Sequence, residues 1–144
     1  MVVVDTSVWL DLFLEDSDRE KVAEELIKAI ETTIYEPEVF KIELAGTLSR
    51  RFRKDDVLSF VDEVMAKVKL VENPNELAFQ VAANTGCRAI DAYFIATAKI
   101  ANSILITNDK IMAKNAKKYG IEAYYLIKEF DKALNKIEEI KSEF

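Results

Sequence analysis

The sequence contains no histidine, one cysteine, three glycines and two prolines in 144 residues. The absence of histidine excludes Ser-His-Asp and Cys-His catalysis. With one thiol, that of Cys87, the chain has no intrachain disulfide, and a zinc site built from thiolates or imidazoles is excluded as well. We expect Cys87 to be a core residue rather than a nucleophile. The side chains left for catalysis are those of Asp, Glu, Lys, Tyr, Ser and Thr.

Long apolar runs are also missing, since the longest are the five-residue segments 92–96 and 123–127. A helix needs about 20 apolar residues to span a bilayer, so we expect no membrane segment. The chain does not open with the positively charged region of a secretory signal. Together with the single thiol, these features predict a cytoplasmic protein.

Acidic residues outnumber basic ones, 26 to 20, and the net charge of −6 is not typical of a nucleic-acid-binding protein. The basic residues are nevertheless clustered along the chain. The clusters are Arg50, Arg51, Arg53 and Lys54, and then Lys110 and Lys114. Such clusters can contact the phosphates of a nucleic acid. The alternative for the arginine cluster is a solvated helix end that the helix dipole favours.

Short runs of β-branched residues alternate with segments whose apolar residues repeat at helical spacing. The predicted strands are 2–4, 32–35, 68–71, 103–107 and 121–126. We expect Pro37 to open the helix after the second strand, and Gly86 and Gly120 to end two later helices. Residues 130–144 are expected to form a final amphipathic helix. The alternation predicts one α/β domain over residues 1–144, with a mainly parallel sheet.

Two acids directly follow predicted strands. Asp5 ends the first strand, and Asp109 follows the strand that contains residues 104–106. Because ligands of open parallel sheets bind beyond the carboxyl ends of the strands, both acids are expected at a ligand-binding edge. The alternative is that each only caps the helix after it. The same alternative applies to their neighbours Thr6, Ser7, Thr107 and Asn108.

Two further acids lie on predicted helices. Asp91 is near the start of an apolar helix, and Glu43 interrupts an otherwise apolar helical face. The alternative for Asp91 is a favourable interaction with the helix dipole, and the alternative for Glu43 is an ion pair with Lys41 or Arg50. Four clustered carboxylates would raise one another's pKa values unless a bound cation neutralised their charges. Oxygen ligands suit Mg²⁺ or Mn²⁺, and such an ion can activate water for attack on a phosphate.

Four segments of the chain closely resemble the PIN-domain family, especially the VapC-like toxins. They are Val-Val-Asp-Thr-Ser-Val-Trp at 3–9, Glu-Leu-Ala at 43–45, Ile-Asp-Ala-Tyr-Phe-Ile-Ala-Thr-Ala at 90–98 and Ile-Leu-Ile-Thr-Asn-Asp at 104–109. The resemblance covers residues 2–126, and the order and spacing of the segments carry it. It implies a three-layer α/β/α sandwich with a mainly parallel central sheet.

The same resemblance implies a Mg²⁺- or Mn²⁺-dependent endoribonuclease that hydrolyses RNA phosphodiesters with metal-activated water. The family's catalytic and metal-binding acids correspond here to Asp5, Glu43, Asp91 and Asp109. Its supporting polar groups correspond to Ser7, Thr107 and Asn108, with Thr6 beside them. Such toxins pair with a small antitoxin that covers the site, and they form homodimers or higher homo-oligomers. The expected partners are therefore RNA, an antitoxin and further copies of the chain.

Two alternative functions remain open from the sequence. A haloacid-dehalogenase-like phosphatase also begins with a strand that ends in Asp, but its chemistry requires a second Asp two residues later, where this chain has Ser7. A non-catalytic PIN-like module would bind RNA or a partner protein through the same surface. The presence of all four acids favours the enzyme over the module.

Overall fold

The computed structural model describes residues 1–14 and 17–142. Within these residues, five strands form one sheet: β1 (Val2–Val4), β2 (Ile34–Pro37), β3 (Val68–Val71), β4 (Ile104–Thr107) and β5 (Ala123–Tyr125). The helices between and after the strands are α1 (Thr6–Phe13), α2 (Ser17–Ala29), α3 (Val39–Ser49), α4 (Lys54–Met65), α5 (Asn75–Thr85), α6 (Ala89–Ile100), α7 (Lys110–Lys118) and α8 (Leu126–Ser142).

The strand order is β3-β2-β1-β4-β5, and every neighbouring pair is parallel. Helices flank the sheet, which confirms the predicted α/β/α fold. Val2, Val3 and Val4 of the central strand are buried because the sheet is covered on both faces. The chain builds outward from β1 through β2 to β3, and then resumes on the other side with β4 and β5. The direction therefore reverses between β1 and β4, and ligands of parallel sheets bind in the crevice at such a reversal.

The second strand lies two residues later than predicted, and α3 begins at Val39. The expectation that Pro37 opens a helix is therefore wrong. Pro37 is the last residue of β2 and pairs in register with Val71, at a point where the backbone pairing of β2 with β1 has already ended. A proline is tolerated there because no ladder bond requires its missing N–H. The N–H of Val4 donates instead to Oε1 of Glu36, at 3.2 Å.

The predicted glycine positions agree with the structure. Gly86 has a φ of 72° and ends α5, and Gly120 has a φ of 88° just after α7. Glycine favours these left-handed conformations because it lacks a Cβ. Cys87, which follows the first of these glycines, is half-buried and packs against the core.

Three buried aromatic side chains join the helices that approach the reversal in strand order. The ring centroid of Phe40 in α3 lies 6.2 Å from that of Trp9 in α1 and 6.4 Å from that of Phe94 in α6. All three side chains are fully buried, and burial of one such side chain contributes about 1.5–3 kcal/mol. This packing fixes α1, α3 and α6 relative to one another, together with the polar residues that they carry.

The last helix starts earlier than predicted, at Leu126, and a non-helical residue, Glu129, interrupts it. The carboxylate of Glu129 accepts a hydrogen bond from the N–H of Tyr125 at 2.9 Å, which fixes this break. Beyond it, Ala133 and Ile137 are buried in the core, as an amphipathic helix requires. The final residues of the predicted helix, 143 and 144, lie outside the described residues.

Among the residues that the structure describes, no helix combines the length and the apolar character needed to cross a membrane.

Candidate active site

Asp5 lies at the carboxyl end of β1 and is 3% exposed. It occupies the position before α1, but its side chain makes no capping hydrogen bond. Instead, Oδ2 accepts hydrogen bonds from the hydroxyls of Ser7, at 2.6 Å, and Thr107, at 2.7 Å. The capping alternative therefore does not describe the use of this side chain.

The same two hydroxyls also accept hydrogen bonds from the loop after β4. Ser7 Oγ accepts from the N–H of Asn108 at 2.9 Å, and Thr107 Oγ1 accepts from the N–H of Asp109 at 2.9 Å. Each hydroxyl is thereby oriented, because its proton points at Asp5 while its lone pair receives a backbone proton. The network joins the ends of β1 and β4, and Asp5 lines the cavity beside them.

Asp109 has a double role in the structure. Its Oδ1 caps α7 by accepting hydrogen bonds from the N–H groups of Ile111, at 2.9 Å, and Met112, at 3.1 Å. Its Oδ2 bonds to Nη2 of Arg88 at 2.8 Å. The capping alternative is thus correct for one oxygen, while the other oxygen bonds to Arg88.

The four predicted acids come together around one cavity of about 190 Å³. The lining residues are Asp5, Thr6, Ser7, Leu10, Glu43, Thr47, Arg88, Ile90, Asp91, Asp109 and Met112. Asp91 lies in the first turn of α6, so interaction with the helix dipole is compatible with its place here. Within the described residues, Glu43 forms no ion pair with Lys41 or Arg50. We call this cavity the acidic cleft.

Burial and mutual repulsion make the acidic cleft unfavourable for negative charge. Burial raises the pKa of Asp5 from 3.8 to about 6, and the charges of Glu43 and Asp109 add to the increase, while hydrogen bonds from Ser7 and Thr107 oppose it. Burial also raises the pKa of Glu43, and the nearby charge of Asp91 adds to this effect. A cation in the cleft would relieve both the desolvation and the repulsion.

The donor set fits a hard divalent cation. Four carboxylates line the cleft, and the hydroxyl of Thr6 is buried there without a hydrogen-bond partner within the described residues. The Thr6 hydroxyl is close enough to Glu43 to lower its pKa, although the two groups do not meet hydrogen-bond geometry. Mg²⁺ and Mn²⁺ prefer oxygen ligands of this kind. As arranged, however, no three acidic side chains in the part of the chain described converge closely enough to hold one ion.

Arg88 also lies in this arrangement, and it was not singled out from the sequence. Its Nη2 bonds to Asp91 Oδ1 at 3.2 Å as well as to Asp109 Oδ2, so the guanidinium lies between two of the four acids. Burial raises the pKa of Asp91, and the hydrogen bond and charge of Arg88 partly oppose this increase. Arg88 precedes the first residue of α6 and lies three positions before Asp91, and this spacing was the signal available in the sequence.

Glu36 is a second residue that the sequence analysis missed. Its side chain is fully buried, and burial raises its pKa well above the ordinary value. Oε1 accepts from the N–H of Val4, and Oε2 accepts from Nε1 of Trp9 at 2.9 Å. The two donors flank Asp5 in the chain, so Glu36 helps to fix the backbone on either side of it. An acid within the strand run Ile34–Pro37 was the only signal in the sequence.

Asn108 contributes to the same edge through its side chain. Its Nδ2 donates to Asp11 Oδ2 at 2.6 Å, and Asp11 also accepts from Nε of Arg19 at 3.3 Å. Oδ1 of Asn108 is buried without a partner among the residues described. Asn108 does not line the acidic cleft; it supports the loop that carries Asp109.

The basic residues of the two clusters differ in whether they line a cavity near the acids. Arg50 and Arg51 line a groove of about 240 Å³ that shares Leu10 and Thr47 with the acidic cleft. Arg53 and Lys54 are exposed at the start of α4 and line neither cavity. Lys110 and Lys114 are exposed on α7 and also lie outside both cavities. The structure thus connects only the first two of these residues with the cleft.

Several solved structures share this fold. A domain of a functionally unknown protein from Methanocaldococcus jannaschii is 31% identical, with a TM-score of 0.56, and the match covers 87% of this chain and 89% of that one. PAE2754 from Pyrobaculum aerophilum is 17% identical over 96% of each chain, with a TM-score of 0.64. VapBC2 from Rickettsia felis, bound to a DNA fragment from its promoter, is 16% identical over 86% of this chain and 98% of that one, with a TM-score of 0.66.

No curated protein sequence matches the chain. The sequence profile of the PIN domain matches residues 2–118, a range that contains every residue lining the acidic cleft. The match covers most of the chain and includes the four segments on which the resemblance was based. The chain therefore belongs to the PIN domain family, whose members are generally nucleases.

Proposed function

We propose that this protein is a Mg²⁺- or Mn²⁺-dependent endoribonuclease and the toxin of a toxin–antitoxin pair. The observation that carries the proposal is the arrangement around Asp5. A buried carboxylate is held by two oriented hydroxyls at the reversal in strand order. Burial raises its pKa to about 6, and the charges of Glu43 and Asp109 add to the increase. Such an arrangement is unfavourable for folding, and it is typical of a site that binds a cation.

The side chains proposed to hold the ion are those of Asp5, Glu43, Asp91 and Asp109. When bound, Mg²⁺ or Mn²⁺ would supply positive charge that activates water and stabilises a phosphate during its displacement. Ser7 and Thr107 keep the Asp5 carboxylate in one orientation by donating to its Oδ2. Thr6 provides a hydroxyl that has no other partner among the described residues.

Arg50 and Arg51 are proposed to bind the phosphates of RNA as it enters the cleft. Their groove adjoins the acidic cleft through Leu10 and Thr47. Arginine side chains that contact phosphates provide affinity that does not depend on sequence. They also bring a polyanion to a protein whose net charge is −6.

The proposal of an antitoxin partner is supported by the solved structures with the same fold. They include a VapBC complex from Rickettsia felis and the FitAcB structure from Neisseria gonorrhoeae. By analogy, a small antitoxin would cover the acidic cleft of this chain in the cytoplasm. A homodimer is the proposed assembly.

Membership of the PIN family removes the support for the phosphatase alternative, since the strand that ends in Asp5 is part of the PIN match. Ser7, at the position of the second Asp of such phosphatases, donates to Asp5 and is not a carboxylic acid. A non-catalytic PIN-like module remains the second candidate because, among the described residues, no three acids converge closely enough to hold one ion.

The substrate class is tested by incubating the purified protein with a labelled RNA, a DNA of the same sequence and p-nitrophenyl phosphate, each with Mn²⁺ and with EDTA. We expect cleavage of RNA in Mn²⁺ and none in EDTA, with little activity on the phosphate ester. Hydrolysis of p-nitrophenyl phosphate alone would favour the phosphatase. Binding of RNA without cleavage would favour the non-catalytic module.

A further inference from the structure

Arg88 stands at the mouth of the acidic cleft, just before α6. Its backbone is extended, with a φ of −67° and a ψ of 156°. Its side chain is 70% exposed, although it contacts carboxylates that are 0% and 26% exposed. Among the described residues that line the cleft, Arg88 is the one cation. The neutralising charge of the cleft therefore comes from a residue that solvent can reach.

The guanidinium bonds to one acid in α6 and to another that immediately precedes α7. Nε and Nη2 approach the two oxygens of Asp91, at 3.4 Å and 3.2 Å, and Nη2 also bonds to Oδ2 of Asp109 at 2.8 Å. Arginine suits this contact because its planar fork presents several donors to carboxylate oxygens at once. Since the side chain is largely exposed, water screens these bonds, and they are readily exchanged.

The contact occupies the oxygens that a divalent cation would need. Asp109 has already used Oδ1 to cap α7, so Oδ2 is its remaining oxygen, and Arg88 holds it. Both oxygens of Asp91 face the same guanidinium. A divalent ion bound to Asp91 and to Oδ2 of Asp109 would therefore compete with Arg88 for the same oxygens.

We propose that Arg88 is a resident cation of the acidic cleft, which competes with divalent metal for Asp91 and Asp109 and moves to a phosphate of RNA when metal takes its place. This inference rests on the proposed function. The released guanidinium stays at the rim of the cleft because its backbone is fixed at the start of α6. There it carries a charge and a geometry that bind phosphate.

The competition is tested by calorimetric titration of the protein with Mn²⁺ alone, without RNA. The variants are Arg88→Gln and, as a matched control, Lys99→Gln. Lys99 lies in α6, about 16 Å along the helix axis from Arg88, and lines a cavity with Ile104 and Gly120 at the opposite edge of the sheet. We expect Arg88→Gln to bind Mn²⁺ about tenfold more tightly than wild type because charge-assisted bonds no longer oppose the ion. Lys99→Gln should bind as wild type does.

Thermal unfolding provides a readout that is independent of activity. In EDTA, Arg88→Gln should unfold at a lower temperature than wild type, because two acids lose their counter-charge. In saturating Mn²⁺ the difference should disappear. An equal loss of stability in both conditions would mean that Arg88 has only a structural role. If Arg88→Gln does not fold in EDTA, Arg88→Lys provides the same comparison, since lysine lacks the planar fork.

RNA cleavage tests the second half of the proposal. Arg88→Gln should reach half its maximal rate at a lower Mn²⁺ concentration, but its maximal rate should fall by about tenfold or more, because a charge that stabilises phosphate is lost. An unchanged maximal rate would overturn the proposed transfer of Arg88 to RNA.

The Mn²⁺ titration separates this inference from the proposed function. If wild type binds Mn²⁺ and Arg88→Gln binds it no more tightly than Lys99→Gln, Arg88 does not compete with the metal, although the metal site is present. If none of the proteins binds Mn²⁺, both the competition and the metal site are wrong.

Discussion

Asp5 is the residue at which stability and the proposed function oppose each other. The folded chain raises its pKa to about 6, whereas the ordinary value is 3.8. Between these values the folded state keeps a proton that the unfolded state has lost. Protonation of Asp5 therefore stabilises the folded state fully below the ordinary pKa of 3.8. This contribution to the free energy of unfolding is lost as pH rises through about 6. Buried ionisable groups whose charge destabilises the fold are common where a protein binds a ligand.

The first prediction concerns the substitution Asp5→Asn in metal-free protein. Oδ2 of Asp5 accepts both of its hydrogen bonds, so an asparagine can keep them with its carbonyl oxygen and turn its amide toward the cleft. Well above the folded pKa of about 6, the variant should be more stable than wild type, by at most about 3 kcal/mol. Urea unfolding in EDTA across pH measures the difference, which should vanish in acid. A variant less stable than wild type at every pH would contradict the burial argument.

At the scale of the elements, Glu36 joins three of them. From β2 it accepts hydrogen bonds from Val4 in β1 and from Trp9 in α1. Glu36→Gln should lower the free energy of unfolding by about 1–3 kcal/mol, because one of these buried donors loses its acceptor. The fluorescence of Trp9, which is the one tryptophan of the chain, reports both the unfolding transition and the change around the indole. Glu38→Gln, at an exposed position of the same segment, is the control. Equal stability of the two variants would contradict a stabilising role for the hydrogen bonds that Glu36 accepts.

The second prediction at this scale concerns the end of α3. The double substitution of Arg50 and Arg51 by glutamine should weaken RNA binding and reduce its dependence on salt, because phosphate contacts release counterions. The control is the double substitution of Lys67 and Lys69, which are exposed and line neither the acidic cleft nor the adjoining groove. Electrophoretic shifts of a short RNA over a range of salt measure both properties. Equal losses in the two double variants would mean that net charge alone attracts RNA.

At the scale of the molecule, the sequence was most informative where local chemistry repeats. The β-branched runs predicted the strands, and the acids that follow β1 and β4, Asp5 and Asp109, could be assigned to one edge because parallel strands end together. Pro37 was assigned to the wrong element because a proline suits both a helix start and a strand end. Which of these applies depends on where the pairing of β1 with β2 stops, and that is a tertiary property.

Contacts between distant residues could not be predicted in the same way. Arg88 meets Asp109 across 21 residues of sequence, and Glu36 meets Val4 across 32. Neither residue belongs to a repeating pattern, and each looks like an ordinary charged residue near an element boundary. The basic clusters show the same limit, since Arg51 lines the groove beside the cleft while its near neighbour Arg53 does not. A side chain's direction, which the sequence does not give, decides between them.

The proposed homodimer predicts an apolar surface between two copies. Ile42 of α3 and Phe79 of α5 are 73% and 74% exposed. Ile42 lines a groove with Asn75, which is one helical turn before Phe79 in α5. We propose these two exposed side chains for the interface, because exposed apolar patches mark interaction sites. The double substitution of Ile42 and Phe79 by lysine should convert a dimer into a monomer in light scattering. Ile127→Lys, at another exposed apolar position, should leave the dimer intact. A wild-type monomer at high micromolar concentration would contradict the proposal.

The central claim is that the acids of the cleft act together as one divalent-cation site that cleaves RNA. Single-turnover cleavage of a labelled RNA, measured over a range of Mn²⁺ concentrations, tests it most directly. The compared proteins are wild type, Asp5→Asn and the exposed control Asp131→Asn. We predict a rate that saturates with Mn²⁺ and is abolished by EDTA in wild type and the control, and a loss of at least about 100-fold in Asp5→Asn. Cleavage by Asp5→Asn at the wild-type rate, or cleavage that persists in EDTA, would contradict the account.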